Sequence, residues 1–351
     1  MSEQTSRVTI RDIAERAGVS KGAVSYALNG RPGVSDDTRE RILAIARELG
    51  WYPNRAARAL SAARADGCGL VLARPANILG LEPFFMEFIA GAESELASRS
   101  MALTIQLVGD VEDEIEVYRR WWGERRVDGV LMMDLRVDDP RVDELVRLGM
   151  PAVVVGGPLG GRLPAVWHDE ETVVIEAVRY LAALGHERIA HVAGVSAFVH
   201  TRQRTDAFRR VTEELGLLAQ VTTTDYSPES GARETRRLLS LPEPPTAILF
   251  DSDLLAVTGL GVAQQMGFVV PDDVSIVGWD DSLISQVVHP PLTSITRDIA
   301  HYGVLATRHL LAAIDDGVTV ELEAPRGELT PRGSTTRARA AATRARGGDR
   351  R

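Results

Sequence analysis

The 351 residues are enough for two or three domains, and 44% hydrophobic with 25% charged residues is typical of a globular protein. The sequence has no run of about 18 apolar residues, the N-terminal segment MSEQTSRV lacks an apolar stretch, and Cys68 is the only cysteine. These features argue against a membrane-spanning helix, a secretory signal, an internal disulfide and a cysteine metal site, and they predict a cytoplasmic protein.

The net charge of −9 is unevenly distributed along the chain. Residues 1–64 hold 11 Lys and Arg against 7 Asp and Glu, and residues 331–351 hold 7 against 1. The remaining residues hold 22 against 41. A basic N-terminal segment on an acidic body indicates a protein that presents only one end to a polyanion.

Residues 8–30, VTIRDIAERAGVSKGAVSYALNG, predict two short helices joined by a turn. Thr9 and Asp12 have capping-box spacing, Gly18 marks the turn, and Ser20 can cap the second helix. Apolar residues at helical spacing predict buried faces, which consist of Ile10, Ile13, Ala14 and Ala17, then Val24, Ala27 and Leu28. The pattern is typical of a helix-turn-helix, whose second helix reads bases in the DNA major groove. A helical hairpin without a partner is the alternative.

A third helix is predicted within residues 31–50, where Ser35 can cap the start and Gly50 the end. Its buried face consists of Ile42, Ile45, Ala46 and Leu49. Pro53 then interrupts the chain, and one more short helix is predicted at 55–61. That helix is too short to be stable alone in water, so it requires a partner.

The segments VTIRDIAERAGVSKGAVSYALNG, VSDDTRERI and YPNRAARAL closely resemble the DNA-binding headpiece and hinge of the lactose-repressor (LacI) family of bacterial transcription regulators. This resemblance implies that the chain is divided into four segments. They are a headpiece at 1–53, a hinge helix and linker at 54–67, an effector-binding and dimerisation core at 68–330, and a basic tail at 331–351.

The resemblance also implies which residues contact DNA. Lys21, Gly22 and Tyr26 correspond to the base-reading positions, and Leu60 to a wedge that enters the minor groove and kinks the duplex. The phosphate-binding positions correspond to Thr9, Ser20, Ser25 and Asn29, and those of the hinge to Asn54, Arg55 and Arg58. Gly22 departs from the many relatives that carry a base-contacting side chain there. Specificity is therefore expected to depend more on Lys21, Tyr26 and groove shape.

Residues 68–329 alternate apolar strands with amphipathic helices. Strands are predicted at 69–73, 102–108, 128–133, 151–157, 188–194, 220–224, 246–250 and 274–281. Helices are predicted at 84–98, 113–125, 140–148, 170–184, 201–215, 228–240 and 253–266. Near-continuous apolar strands separated by helices indicate two doubly wound parallel-sheet subdomains, an α/β core like that of periplasmic binding proteins. Strand 292–298 and helix 299–315 are expected to return to the first subdomain.

In the resembled family, the core binds a small effector in the cleft between its lobes, beyond the carboxyl ends of the strands. Arg204 corresponds to the arginine that grips the effector and Asp280 to its carboxylate partner. Further candidates near strand ends are Phe84, Phe85, Trp167, Asp169 and Asp253. Arginine and carboxylates bind hydroxyl pairs, and aromatic rings cover sugar C–H faces. Because a sugar or sugar derivative is the commonest ligand of the resembled family, a sugar is the expected effector, with nucleobases and other small metabolites as alternatives. The alternative for Asp253 is a helix cap, and for Phe85 and Trp167 a core position.

The tail at 331–351 consists of small, polar and basic residues, which predicts disorder, and it lacks the leucines of a heptad helix.

One segment resembles a nucleophile elbow without its final glycine, namely Gly194-Val195-Ser196-Ala197-Phe198, near His186 and His200. The sequence lacks phosphate-loop, dinucleotide-binding and HExxH patterns, so neither a cofactor nor a metal is predicted.

The sequence as a whole predicts a homodimeric, effector-controlled transcription repressor without enzymatic activity. The alternatives are an effector-independent architectural DNA-binding protein and a hydrolase.

Overall fold

The computed structural model describes residues 8–51 and 64–339. The chain forms two compact units, divided between Ala65 and Asp66. The predicted hinge positions lie outside the described residues, namely Asn54, Arg55, Arg58 and Leu60. None of the helices in the described part is long and apolar enough to cross a membrane.

The part of the N-terminal unit that the structure describes contains three helices, α1 (Ile10–Ala17), α2 (Lys21–Leu28) and α3 (Asp36–Glu48). Their boundaries follow the predicted signals, but Ser35 at the start of α3 makes no capping bond to the backbone of the described residues, and its hydroxyl donates to the Thr38 hydroxyl at 2.9 Å instead. The backbone N–H of Thr9 donates to the Asp12 carboxylate at 2.7 Å, and Ser20 Oγ accepts from the backbone of Ala23 at 3.2 Å. Gly18 ends α1 with φ 66°, a conformation that glycine adopts without steric cost. The predicted helix-turn-helix is confirmed.

The core of this unit matches the predicted apolar faces. The buried side chains are Ile13, Ala14, Ala17, Val24, Ala27, Ile42 and Ala46. The other predicted inward residues pack against them and are half-buried, namely Ile10, Leu28, Ile45 and Leu49. A hydrophobic spacing of three and four residues was therefore sufficient to identify the buried side of each helix.

Within residues 66–339 the second unit contains two six-stranded sheets with equivalent strand orders. The strands are β1 (Gly67–Leu72), β2 (Ala102–Leu107), β3 (Gly129–Met132), β4 (Ala152–Val155), β5 (Ala165–Trp167), β6 (Arg188–Ala193), β7 (Leu218–Thr223), β8 (Ala247–Phe250), β9 (Ser275–Asp280), β10 (Thr293–Thr296), β11 (Glu321–Glu323) and β12 (Glu328–Thr330). Lobe 1 has the order β11-β5-β4-β3-β1-β2, and lobe 2 has β12-β10-β9-β8-β6-β7. The pairs are parallel except β10 with β12. This confirms the two predicted doubly wound subdomains.

Helices cover both faces of each sheet. They are α4 (Ala76–Leu81), α5 (Pro83–Ser98), α6 (Val111–Gly123), α7 (Pro140–Leu148), α8 (Glu170–Ala183), α9 (Val199–Glu214), α10 (Pro228–Leu239), α11 (Asp253–Gln265), α12 (Leu283–Val287) and α13 (Ile299–Asp316). All six residues of β1 and of β9 are buried, as expected for strands covered on both sides. The short strands β5, β11 and β12 and the helices α4 and α12 were not predicted, because three to six residues carry too little periodicity.

The chain crosses between the lobes after β5, β10 and β11. The prediction that strand 292–298 returns to lobe 1 was wrong, because β10 pairs with β9 and buries Ile295 in the core of lobe 2. The following helix α13 does return, and it packs closely on α5. A Cβ on Gly91 would lie 1.8 Å from the Ala300 carbonyl oxygen, so this crossing requires a glycine.

The prediction of a disordered tail was wrong for residues 331–339, which pack on lobe 2. Ser334 is fully buried, its hydroxyl donates to the Ile276 carbonyl at 2.6 Å, and it accepts from the Thr293 backbone at 2.8 Å. The composition of this segment predicted disorder because small polar residues form no apolar face. Their hydrogen bonds to a sheet cannot be recognised from the sequence, since these bonds leave no periodic pattern. Residues 340–351 lie outside the described chain.

Candidate nucleic-acid interface and ligand pocket

The predicted base-reading residues lie on the exposed side of α2. Lys21, Gly22 and Asn29 are exposed, and the Tyr26 side chain is 45% exposed although it is large and aromatic. Ser25 is half-buried, and its carbonyl accepts from Asn29 Nδ2 at 2.8 Å. The helix therefore presents a polar, partly aromatic surface, while Val24 and Ala27 hold its other side in the core.

Thr9 and Ser20 lie at the N-termini of α1 and α2, and both are exposed. Unpaired backbone N–H groups and the helix dipole make such N-termini suited to phosphate. The Thr9 hydroxyl donates to Asp12 at 2.8 Å, so its oxygen retains acceptor capacity while the carboxylate holds it in place. Asp12 was predicted only as a cap, and the structure gives it this second contact.

Gly22 is not required by packing. A Cβ at this position would meet only Ser20 Oγ, at 3.8 Å, and the backbone is helical. The glycine therefore costs α2 some stability without relieving a steric conflict.

A pocket lies between the two lobes, at the carboxyl ends of both sheets. It encloses about 660 Å³, a volume that includes the solvent at its open mouth. Its charged lining comprises Arg74, Glu82, Asp134, Glu170, Arg204, Asp251, Asp280 and Arg297. Its aromatic lining comprises Phe84, Phe85, His200, Tyr226 and Tyr302. Three guanidinium groups thus share the pocket with five carboxyl groups.

The sheet topology explains where these groups come from. In lobe 1 the strand order reverses between β3 and β1, and Asp134 and Arg74 follow those two strands. In lobe 2 it reverses between β8 and β6, and Asp251 directly follows β8. Crevices at such reversals are where open α/β sheets bind ligands. The pocket therefore lies where the reversal of strand order in lobe 1 faces the reversal of strand order in lobe 2.

A chain of ion pairs connects the centre of the pocket. Arg204 Nε donates to one oxygen of Glu170 at 2.8 Å, and Arg297 Nη1 donates to the other at 2.9 Å. Arg297 Nε also donates to Asp280 at 2.8 Å. Asp280 has φ 93°, a strained conformation for a residue with a Cβ, and such strain is concentrated at functional sites.

Neighbouring positive charges keep the buried carboxyl groups of Glu170 and Asp251 ionised. Burial alone would raise the pKa of Glu170, but the positive charges of Arg204 and Arg297 outweigh it and hold that pKa below its usual range. The pKa of Asp251 is likewise lowered to about 2, since the effects of His191 and Arg204 exceed that of burial. Asp251 binds His191 Nε2 at 2.8 Å, and its carbonyl accepts from Arg204 at 3.0 Å.

Arg74 forms a second group at the boundary between the lobes. It binds Asp134 through Nε at 2.8 Å and Nη2 at 3.0 Å. Its guanidinium carbon lies 4.7 Å from the ring centre of Phe198 and 5.0 Å from that of Tyr226, both from lobe 2. This geometry is that of a cation–π contact between the lobes.

Two backbone hydrogen bonds join the lobes beside Arg74. The Val199 N–H donates to the Leu135 carbonyl at 2.8 Å, and the Val137 N–H donates to the Ala197 carbonyl at 3.1 Å. We call this pair of bonds the clasp. These bonds are noncovalent, unlike the three chain crossings, so they can separate when the lobes move apart.

Four of the predicted effector residues line the pocket, namely Phe84, Phe85, Arg204 and Asp280. The other three do not, and the structure gives two of them other partners. Asp169 caps α8 through the Thr172 backbone at 3.0 Å, and Asp253 accepts from the backbone of Trp279 at 3.0 Å. Trp167 ends β5, which pairs with β11. These three were selected for their place near strand ends, which does not fix where a side chain points.

Sequence reasoning missed most of the charged lining. The missed residues are Arg74, Glu82, Asp134, Glu170, Asp251 and Arg297. Position after a strand would have identified Arg74, Asp134 and Asp251. Arg297 follows β10, whereas Glu82 precedes α5 and Glu170 is the first residue of α8, and these positions give no comparable signal.

The hydrolase alternative gains no support from the geometry. His186 contacts the Thr246 hydroxyl at 2.9 Å, and His200 contacts the Tyr226 hydroxyl at 3.1 Å. Burial lowers the pKa of His200 to about 4. Ser196 is exposed, whereas both histidines are engaged with other residues.

Comparison with known proteins covers nearly the whole chain. Residues 9–54 match the model described as bacterial regulatory proteins of the lacI family, and residues 178–335 match a periplasmic binding protein-like domain. The HTH-type transcriptional regulator AglR of Rhizobium meliloti (strain 1021) is 34% identical over 93% of this chain and 94% of its own length. The chain belongs to the LacI family. It is a DNA-binding transcriptional regulator.

Two solved LacI-family structures extend this likeness to the fold. A lac repressor dimer bound to operator and the anti-inducer ONPF has a TM-score of 0.83 and 26% identity, covering 94% of this chain and 99% of the repressor. A complex of the regulator CelR with cellobiose has a TM-score of 0.71 and 31% identity, covering 93% of this chain and all of CelR.

Proposed function

We propose that this LacI-family regulator is a repressor that binds a near-palindromic operator as a homodimer and is controlled by a sugar in the pocket between its lobes. The observation that carries this proposal is the pocket itself. It faces the carboxyl ends of both sheets and combines paired arginines and carboxylates with aromatic rings.

The pocket chemistry supports a sugar. Arg204 and the carboxylates of Glu170 and Asp280 present planar groups that match adjacent hydroxyls. Phe84 is half-buried and packs edge-on against Phe85 at 5.5 Å between ring centres, which leaves an apolar surface for sugar C–H groups. The relative CelR was solved in complex with cellobiose, and its likeness extends over almost all of this chain.

Exposed apolar side chains support a dimer. Met86 on α5 is 57% exposed, and Leu283 and Val287 on α12 are 71% and 70% exposed. Leu283 and Val287 are four residues apart on α12, so they lie side by side and form an apolar surface that a partner can cover. A two-fold dimer binds a site with matching two-fold symmetry, so the operator is expected to be near-palindromic.

The DNA contacts follow from the exposed side of α2 and from the hinge. Tyr26 and Lys21 read bases, Thr9, Ser20, Ser25 and Asn29 hold phosphates, and Leu60 enters the minor groove. Effector binding changes the orientation of one lobe relative to the other. This movement changes the distance between the hinge segments of the two subunits. Two sites with a reciprocal coupling of about 1–3 kcal/mol make this allosteric control.

The test is a thermal-shift screen of the full chain against sugars, followed by binding of DNA from upstream of its own gene. A sugar at 100 times its dissociation constant should stabilise the protein by about 2.7 kcal/mol. Absence of any sugar hit, with DNA binding intact, would contradict a sugar effector and favour effector-independent binding.

Two variants test the DNA contacts. Tyr26→Ala should relax preference at one or two base pairs per half-site, by about 1–3 kcal/mol each. Leu60→Ala should weaken operator binding and leave nonspecific binding unchanged, because a wedge acts only where the duplex kinks. An unchanged selection profile for Tyr26→Ala, or an equal loss of both affinities for Leu60→Ala, would contradict the assigned roles.

A further inference from the structure

One carboxyl group in the pocket has a buried oxygen atom without a hydrogen-bond partner among the described residues. Glu82 lies between α4 and α5, its side chain is only 6% exposed, and it lines the pocket from lobe 1. Its Oε2 is buried and has no hydrogen-bond partner among the described residues. A buried polar atom that faces a cavity without a partner indicates a contact that a ligand completes.

The arginines of the pocket do not offer a positive charge to a ligand. Arg74 forms a two-point pair with Asp134, Arg204 pairs with Glu170, and Arg297 pairs with Glu170 and Asp280. Asp251 lies behind Arg204 and also binds His191. Each guanidinium is therefore neutralised within the pocket, and Glu82 adds a carboxyl group beyond this balance.

The surroundings of Glu82 oppose further negative charge. Burial, reinforced by the negative charges of Asp280 and Asp253, outweighs the opposing effects of the Ser252 hydroxyl and of Arg74 and raises the pKa of Glu82 to about 8. The same potential that disfavours ionisation of Glu82 acts on any anionic group of a ligand placed beside it. A hydroxyl group meets no such penalty, since it can donate to Oε2 or accept from the protonated acid.

We propose that Glu82 determines specificity by restricting the pocket to uncharged sugars and rejecting sugar acids and sugar phosphates. The inference rests on the proposed function, in which this pocket binds a sugar. Glu82 contacts a hydroxyl of the neutral ligand, and an anionic substituent in that place meets Glu82 and Asp280 without a free cation to balance it.

The experiment is calorimetric titration of the full chain with cellobiose, maltose, sucrose, trehalose, glucose and galactose. The neutral sugar that binds most tightly is then compared with its uronic acid and its 6-phosphate, on wild type and on Glu82→Gln, at about pH 9, where Glu82 is ionised. Glutamine has the same shape but no charge, so folding is preserved. Glu87→Gln is the matched control, because it removes the same charge five residues away from a side chain outside the pocket lining.

Wild type and Glu87→Gln are expected to bind the neutral sugar at least 100-fold more tightly than its acid or phosphate. In Glu82→Gln this ratio should fall at least tenfold, which corresponds to about 1.4 kcal/mol. Equal binding of neutral and anionic forms by wild type, or the same ratio in Glu82→Gln, would overturn the inference and leave the sugar pocket standing. If neither wild type nor Glu82→Gln binds any sugar of either charge, the proposed function fails together with the inference.

Discussion

Arg204 donates through Nε to Glu170 at 2.8 Å, so the main proposed effector contact already has a buried carboxylate partner. The guanidinium also lies 4.0 Å from the ring centre of Trp279. These contacts fix the arginine before a ligand arrives, which reduces the entropy cost of binding. They also make the pocket sensitive to loss of either partner.

Replacement of Arg204 by alanine should abolish the effector response and leave operator binding intact. It should also destabilise the core by up to about 3 kcal/mol, because Glu170 then keeps only Arg297 as a partner. The double variant Arg204→Ala/Glu170→Gln should recover much of that stability without recovering the response. Effector-dependent operator binding and thermal unfolding measure the two effects, and a single variant that responds normally would show that the pocket is wrongly placed.

Proline at Val199 tests the clasp. Val199 is the first residue of α9, where proline fits, and Phe198 has ψ 139°, which a following proline requires. Val199→Pro removes the N–H that donates to Leu135, whereas Val199→Ala keeps it. One backbone hydrogen bond contributes about 0.5–1.5 kcal/mol, so ligand affinity should fall up to about tenfold in the proline variant relative to alanine. Equal affinities would mean that the clasp does not stabilise the ligand-bound arrangement.

Alanine at Gly22 should stabilise α2 by up to about 1 kcal/mol, because the position is helical and sterically open. Slower hydrogen exchange of the α2 amides in the full chain would measure this. Gly33→Ala is the matched control and should have the opposite effect, since Gly33 has φ 116° and a Cβ there would lie 3.3 Å from Tyr26. Identical exchange in both variants would contradict the assignment.

Glu82 should make stability depend on pH. Its pKa is raised to about 8 in the folded protein from an ordinary value of 4.5. Between these values the folded state holds a proton that the unfolded chain has released, so stability falls as pH rises, by at most about 1.4 kcal/mol per pH unit. The stability gain of Glu82→Gln over wild type should therefore grow from pH 5 to pH 8 and then level off. A constant difference across this range in thermal unfolding would contradict the raised pKa.

The sequence predicted the parts of the fold that carry strong periodicity. The faces of α1 to α3 and the alternation of the core strands follow from the spacing of apolar residues. The lobe to which β10 belongs and the packing of residues 331–339 did not follow. Ile295 and Ser334 have partners that are distant in the chain, and neither residue type indicates which sheet it joins.

The candidate site was predictable only in part for a related reason. Arg204 and Asp280 came from a family resemblance, and Asp134 and Asp251 follow strands that meet at order reversals, which requires the strand order. Glu82 belongs to a loop before α5, and only the folded chain brings it beside Asp280. Asp253 fits a sugar site by residue type, yet it binds the backbone of Trp279 and Ser282 instead.

The central claim is that the pocket controls the headpiece. The most direct measurement is the affinity of the full chain for its operator, by fluorescence anisotropy at fixed salt, with and without the sugar that stabilises the core. A change of about 5- to 150-fold is expected, with the same factor when operator is present during sugar titration. A sugar that stabilises the core of wild type, fails to stabilise Arg204→Ala, and leaves operator affinity unchanged would contradict this claim.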